Sequence, residues 1–129
     1  HPMVETVYYP GILRKTDPRI DDIMRRQCLS NGAMISFDVV GGEEEAFAFL
    51  DNLKLIKLAV SLGSTESLAQ HPATMTHVDV SPETRKQMNI TEKLIRLSVG
   101  IEHIDDLLAD VSGALDAIKS SRNSEAAVL

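Results

Sequence analysis

Tryptophan is absent, cysteine occurs once, and the aromatic set is two tyrosines and three phenylalanines in 129 residues. So sparse a set offers neither a base-stacking platform nor an aromatic cage. The lone Cys28 cannot close an internal disulfide, which points to a reducing, cytoplasmic setting. No run of about 18 apolar residues is available to span a bilayer. The opening HPMVETVYYP also lacks the basic-then-apolar order of a secretory signal, so no membrane partner is expected. Thirteen basic side chains stand against nineteen acidic ones, for a net charge of -6, and the basic residues are scattered. A nucleic-acid partner, which would demand a basic stripe, is excluded on that ground. What remains is ordinary globular usage, 43% hydrophobic and 25% charged, in a length suited to one domain with its own core. Because His1 is not an initiator Met and Val4 to Tyr9 already reads as a strand, we expect the chain to begin inside a larger protein.

Periodicity supplies the elements. Val4 to Tyr9 is β-rich and closes at the turn Pro10-Gly11. Asp17 or Thr16 can cap a helix that has Pro18 at its first position and ends near Asn31-Gly32. Met34 to Val40 alternates, with Ile35, Phe37 and Val39 on one face and Ser36 and Asp38 on the other. Glu43 to Glu45 suit the positive end of a helix dipole, and the segment from Glu43 to Leu53 reads as that helix. Leu55 to Val60 leans to strand, Thr65 to Ala69 to a short helix, and Gln70 to Val80 to loop. Ser81-Pro82 starts another helix. Leu94 to Val99 alternates again and sends Arg96 away from the easily buried face formed by Ile95, Leu97 and Val99. A long helix runs from Glu102 to about Ile118, and residues 120–129 form a polar, fraying tail beyond a domain of residues 1–119. Pattern alone leaves strand direction open between parallel βαβ units and an α+β sheet.

Three motifs go further. Ala59-Val60-Ser61-Leu62-Gly63-Ser64-Thr65-Glu66-Ser67-Leu68, His71-Pro72-Ala73-Thr74-Met75-Thr76-His77 and Leu94-Ile95-Arg96-Leu97-Ser98-Val99-Gly100-Ile101-Glu102 follow one another in a distinctive order and spacing. With Tyr8-Tyr9-Pro10-Gly11 and Gly32-Ala33-Met34-Ile35-Ser36-Phe37, they resemble the C-terminal domain of the trans-sulfuration, or Cys/Met metabolism, enzymes that depend on pyridoxal phosphate. That family includes cystathionine γ- and β-lyases, cystathionine γ-synthase, O-acetylhomoserine sulfhydrylase and methionine γ-lyase. The resemblance implies an α+β fold, the small C-terminal domain of a fold-type I enzyme, with a mainly antiparallel four-stranded sheet and helices on one side. It implies that Arg96 grips the α-carboxylate of a sulfur amino acid, that Ser61 and Leu62 contact it from the other side, and that Thr76 helps to hold the pocket. It also implies a homotetramer, and pyridoxal phosphate bound mainly by an N-terminal domain of the same protein. Residue chemistry agrees independently: a guanidinium presents a planar fork that matches two carboxylate oxygens and stays charged at any working pH.

The lysines are Lys15, Lys54, Lys57, Lys86, Lys93 and Lys119, and none lies in the Ser-x-Thr-Lys setting that the resemblance requires of the Schiff-base residue. The isolated chain is therefore expected to be inactive. Ala59-Val60 is apolar where several cystathionine-cleaving relatives carry an acid, which favours a methionine γ-lyase type. A non-catalytic interaction domain is the alternative from another class. His71 and His77 lack partners at metal-ligand spacing, and Cys28 reads as a small packing residue. Gly41, Gly42 and Gly63 read as turn residues, not a phosphate loop.

Overall fold

A computed structural model describes residues 1–126, with side chains described through residue 120. The elements in order are β1 (Val4–Tyr8), α1 (Pro10–Leu13), α2 (Pro18–Gln27), β2 (Met34–Val39), α3 (Glu43–Asn52), β3 (Lys57–Leu58), β4 (Leu68–Gln70), α4 (Pro82–Gln87), β5 (Leu94–Ser98) and α5 (Ile104–Ala126). The sheet order is β1-β2-β5-β4-β3, antiparallel at every junction except β3 with β4. Strand direction, left open by periodicity, thus follows the α+β alternative.

Alternation sorts the two faces. Val7, Phe37 and Ile95 stand opposite one another on one face, as do Ile35, Leu97 and Ala69. They join Phe49 and Leu50 of α3 and Leu107, Ala114, Leu115 and Ile118 of α5 in a single core. Phe49 meets Phe37 edge-on at 5.4 Å between ring centres, the arrangement that brings a positive ring edge to a negative ring face. The other face carries Tyr8, Ser36, Arg96 and Gln70 in one cross-strand row, and no helix of that core lies on it.

The sheet gains a short fifth strand. After α3, the carboxylate of Asp110 on α5 accepts three consecutive backbone N–H groups, from Lys54, Leu55 and Ile56, at 2.7, 3.0 and 2.9 Å. This pins the connection so that Lys57 can donate to the Ser67 carbonyl and Ala59 to the Ala69 carbonyl. Of the apolar run from Leu55 to Val60, Lys57 and Leu58 form β3.

Elsewhere the structure corrects local readings. The stretch from Thr65 to Ala69 is not helical, since Leu68 and Ala69 pair with Ser98 and Leu97 of β5. Local propensity gave way there to long-range pairing. Helix α2 stops at Gln27, short of Asn31, and Cys28 caps it in extended backbone. That cysteine is exposed and packs no core. Helix α5 continues past Ile118 to Ala126, and positions 127–129 of the segment read as a fraying tail lie outside the described residues. Among the described residues no helix is long and apolar enough to cross a membrane.

Candidate carboxylate-binding site

Arg96 stands in the middle of β5, on the face opposite α3 and α5, because an alternating strand that buries Ile95 and Leu97 must turn residue 96 the other way. One guanidinium nitrogen, Nη2, donates to the carbonyls of Val60 and Ser61 at 2.9 and 3.2 Å. The Nε–H is buried and has no acceptor. Partial burial depresses the basicity of the group, which nevertheless stays cationic, since the reference value of a guanidinium lies so far above neutrality.

Arg14, Arg19, Arg25 and Arg26 each pair with an aspartate, whereas Arg96, like Arg85 with the Ala73 carbonyl, meets only backbone acceptors among the described residues. Arg96 differs from Arg85 in its buried, unpaired Nε–H. Carbonyl dipoles offset part of the cost of removing its charge from water but leave the charge uncompensated. A partly desolvated guanidinium flanked only by neutral acceptors retains a charge that an anion can pair with.

The loop that meets it is fixed from several directions. Gly63, at φ 72°, donates its N–H to the Ser98 hydroxyl at 2.9 Å, and Ser98 lies two residues beyond Arg96 on the same face. Ser67 donates its backbone N–H and its hydroxyl to the two carboxylate oxygens of Glu102, at 2.6 and 2.7 Å. The Ser67 oxygen in turn accepts the N–H of Gly100 at 2.8 Å. A side chain at position 100 would meet the Thr65 carbonyl oxygen at 2.3 Å, so glycine there lets the loop lie directly on the end of β5.

These donors hold the Glu102 carboxyl below its ordinary pKa, the Ser67 N–H being the largest contribution. A depressed folded value means that the latch stabilises the fold above the unfolded pKa, and that this stabilisation is lost as pH falls through the folded one. We expect wild-type stability to decline below about pH 4.3, and Glu102→Gln to flatten that part of the profile. Denaturant midpoints measured at pH 7 and pH 3.5 for both proteins check this, and an unchanged acid limb in the variant would contradict it.

Of the residues singled out from sequence, Arg96 and Ser61 are brought together, through the Ser61 carbonyl. Leu62 follows in the same loop with its side chain 56% exposed. Thr76 is exposed and reaches the site at one remove. Its hydroxyl accepts from the side-chain amide of Gln70 at 3.3 Å and lies 2.8 Å from His77 Nδ1. Gln70 in turn is the β4 residue paired with Arg96.

Sequence reasoning missed Gln70, Ser98 and Glu102. The signal for Ser98 was present in the alternation that exposed Arg96, whereas Gln70 was hidden because its strand read as helix and loop. His71 is no free ligand, since its ring nitrogens lie 2.8 Å from the Thr74 hydroxyl and 2.7 Å from the Glu92 carbonyl. Glu45 satisfies the N–H of Gly42 at the start of α3, which agrees with a helix-start role for the acidic run.

Comparison with known proteins finds relatives over most of the chain. The family model described as Cys/Met metabolism PLP-dependent enzyme matches residues 1–116. An L-methionine gamma-lyase of Fusobacterium nucleatum subsp. nucleatum is 50% identical over 118 residues, covering 92% of this chain and 29% of the relative. A cystathionine gamma-lyase of Dictyostelium discoideum is 49% identical over 116 residues, covering 90% of this chain and 29% of the relative. In three dimensions the chain resembles the crystal structure of cystathionine gamma synthase from Xanthomonas oryzae pv. oryzae in complex with cystathionine. That likeness has a TM-score of 0.84 at 43% identity and covers 93% of this chain and 30% of that one. The chain therefore spans about three-tenths of the length of the relatives it matches.

Proposed function

This chain belongs to the Cys/Met metabolism PLP-dependent enzyme family, and from that premise we propose that it is the substrate-carboxylate-binding domain of a carbon-sulfur lyase of the methionine γ-lyase type. The observation that carries the reading is Arg96, a partly desolvated guanidinium with no carboxylate partner among the described residues. Its donor set, planar N–H groups beside the 60–61 backbone, fits the substrate's α-carboxylate, and none of these groups is a lysine suited to hold the cofactor. Pyridoxal phosphate, held by residues outside this chain, would supply an electron sink when bound in the full-length enzyme. The work of this chain is positional. Arg96 anchors one end of the amino acid, and the 60–63 loop fixes the orientation of the bond that must break.

Val60 favours methionine over cystathionine. Its carbonyl accepts from the clamp and the residue is 53% exposed, so it brings an apolar side chain that suits a thioether methyl and offers no partner to the distal ammonium and carboxylate of cystathionine. The same reading sets the enzyme in the cytoplasm as a homotetramer, with the cofactor lysine on the N-terminal domain and the isolated chain inactive. Steady-state assays of the full-length enzyme on methionine, cystathionine and O-acetylhomoserine test it. The highest kcat/KM is expected for methionine, and a clear preference for cystathionine would overturn the subclass.

A further inference from the structure

Gln70 is the most deeply buried polar side chain next to Arg96, at 1% exposure, and its Oε1 has no hydrogen-bond partner. An orphaned buried acceptor costs stability unless some state of the protein uses it. The complementary orphan is adjacent: the Nε–H of Arg96, equally enclosed and equally unpaired, belongs to the residue paired with Gln70 across β4 and β5. Directly opposed residues of an antiparallel pair bring their Cβ atoms to about 4.5–5.5 Å, within reach of two long side chains. No ligand can reach atoms that the protein itself encloses, so their natural partners are one another.

Resting on the carboxylate reading of Arg96, we propose that Gln70 is a positioning residue whose Oε1 accepts the Arg96 Nε–H when substrate binds. This fixes the guanidinium plane and, with Nη2 held by the Val60 and Ser61 carbonyls, presents the N–H groups of Nη1 to the carboxylate. Thr76 completes the support by holding the opposite end of the Gln70 amide through Nε2. The hydroxyl at position 76 therefore acts on the substrate through two intermediaries and does not touch it.

A double-mutant cycle in the full-length enzyme tests this. Gln70→Met, close in volume and devoid of the acceptor, is expected to raise KM for the sulfur amino acid about tenfold with kcat within about twofold, the size of one charge-assisted hydrogen bond. In an Arg96→Lys background, which retains charge but removes the planar fork, the same substitution should change KM by less than about threefold. Thr76→Val reports the linkage from the surface without altering the core, and should raise KM about threefold in the parent and leave it unaltered in Arg96→Lys. Equal factors in the two backgrounds, for either substitution, would overturn the positioning role. An Arg96→Ala enzyme with unaltered KM would instead overturn the carboxylate reading on which it rests.

Discussion

Replacing Arg96 by alanine is expected to lower kcat/KM for the amino-acid substrate by about two to three orders of magnitude in the full-length enzyme. Removing one member of a desolvated, hydrogen-bonded charge pair costs about 2–5 kcal/mol, and each 1.4 kcal/mol is about a factor of ten. Two features place Arg96 in this class, above an exposed arginine whose ion pair is worth about 0–1 kcal/mol. Its Nε lies wholly within protein, and two backbone carbonyls already fix Nη2. Arg96→Lys should recover only part of the loss, because an ammonium presents a point charge where the carboxylate requires a fork. Steady-state kinetics decide between these outcomes, and equal activity of the lysine variant and the parent would show that charge alone suffices.

Phe49→Ala is expected to be the most damaging single change to the fold, lowering the stability of the domain by about 3–5 kcal/mol. The ring is fully enclosed between α3 and the sheet and packs edge-on against Phe37. Its loss combines the transfer free energy of a large side chain with a cavity that neither a strand nor the long helix α5 can collapse to fill. A whole domain commands only about 5–15 kcal/mol, so the variant should lie close to unfolding at physiological temperature. A denaturant titration checks this, with a large fall in midpoint at unchanged slope expected. A shift under about 1 kcal/mol would mean that the core beneath the clamp repacks freely.

The two substitutions act on opposite faces of one sheet, and the difference explains what could be read in advance. Alternation in Leu94 to Val99 fixes both faces at once: if Ile95 and Leu97 are buried against helices, Arg96 must point the other way. The same logic placed β1, β2, α3 and α4, whose apolar spacing or caps are local; the Ser81 side chain accepts from the N–H of Thr84 as a cap should. Elements held by distant partners were illegible. Residues 65–69 carry no local strand signal, and Leu68 and Ala69 become strand because Glu102 binds Ser67 and β5 offers them its edge. The strand leaning of Leu55 to Val60 was legible, but not its shortening to β3 after a carboxylate on α5 gathers three N–H groups of the connection before it. Gln70 entered the site by the same route, through a strand whose existence depends on its neighbour. The nearness of Arg96 to the 60–61 segment was expected from the motifs, although Ser61 meets the guanidinium through its backbone carbonyl, whereas the support beneath it was written in tertiary contacts.

The central claim is that the guanidinium at position 96 recognises a negatively charged carboxylate on the substrate. The most direct test is the ratio of kcat/KM for methionine to that for its uncharged carboxamide, measured in the full-length enzyme with and without Arg96→Ala. The parent should strongly favour methionine, and the variant should lose most of that preference because the amide never engaged the clamp. A preference that survives removal of the guanidinium would show that the carboxylate is bound elsewhere.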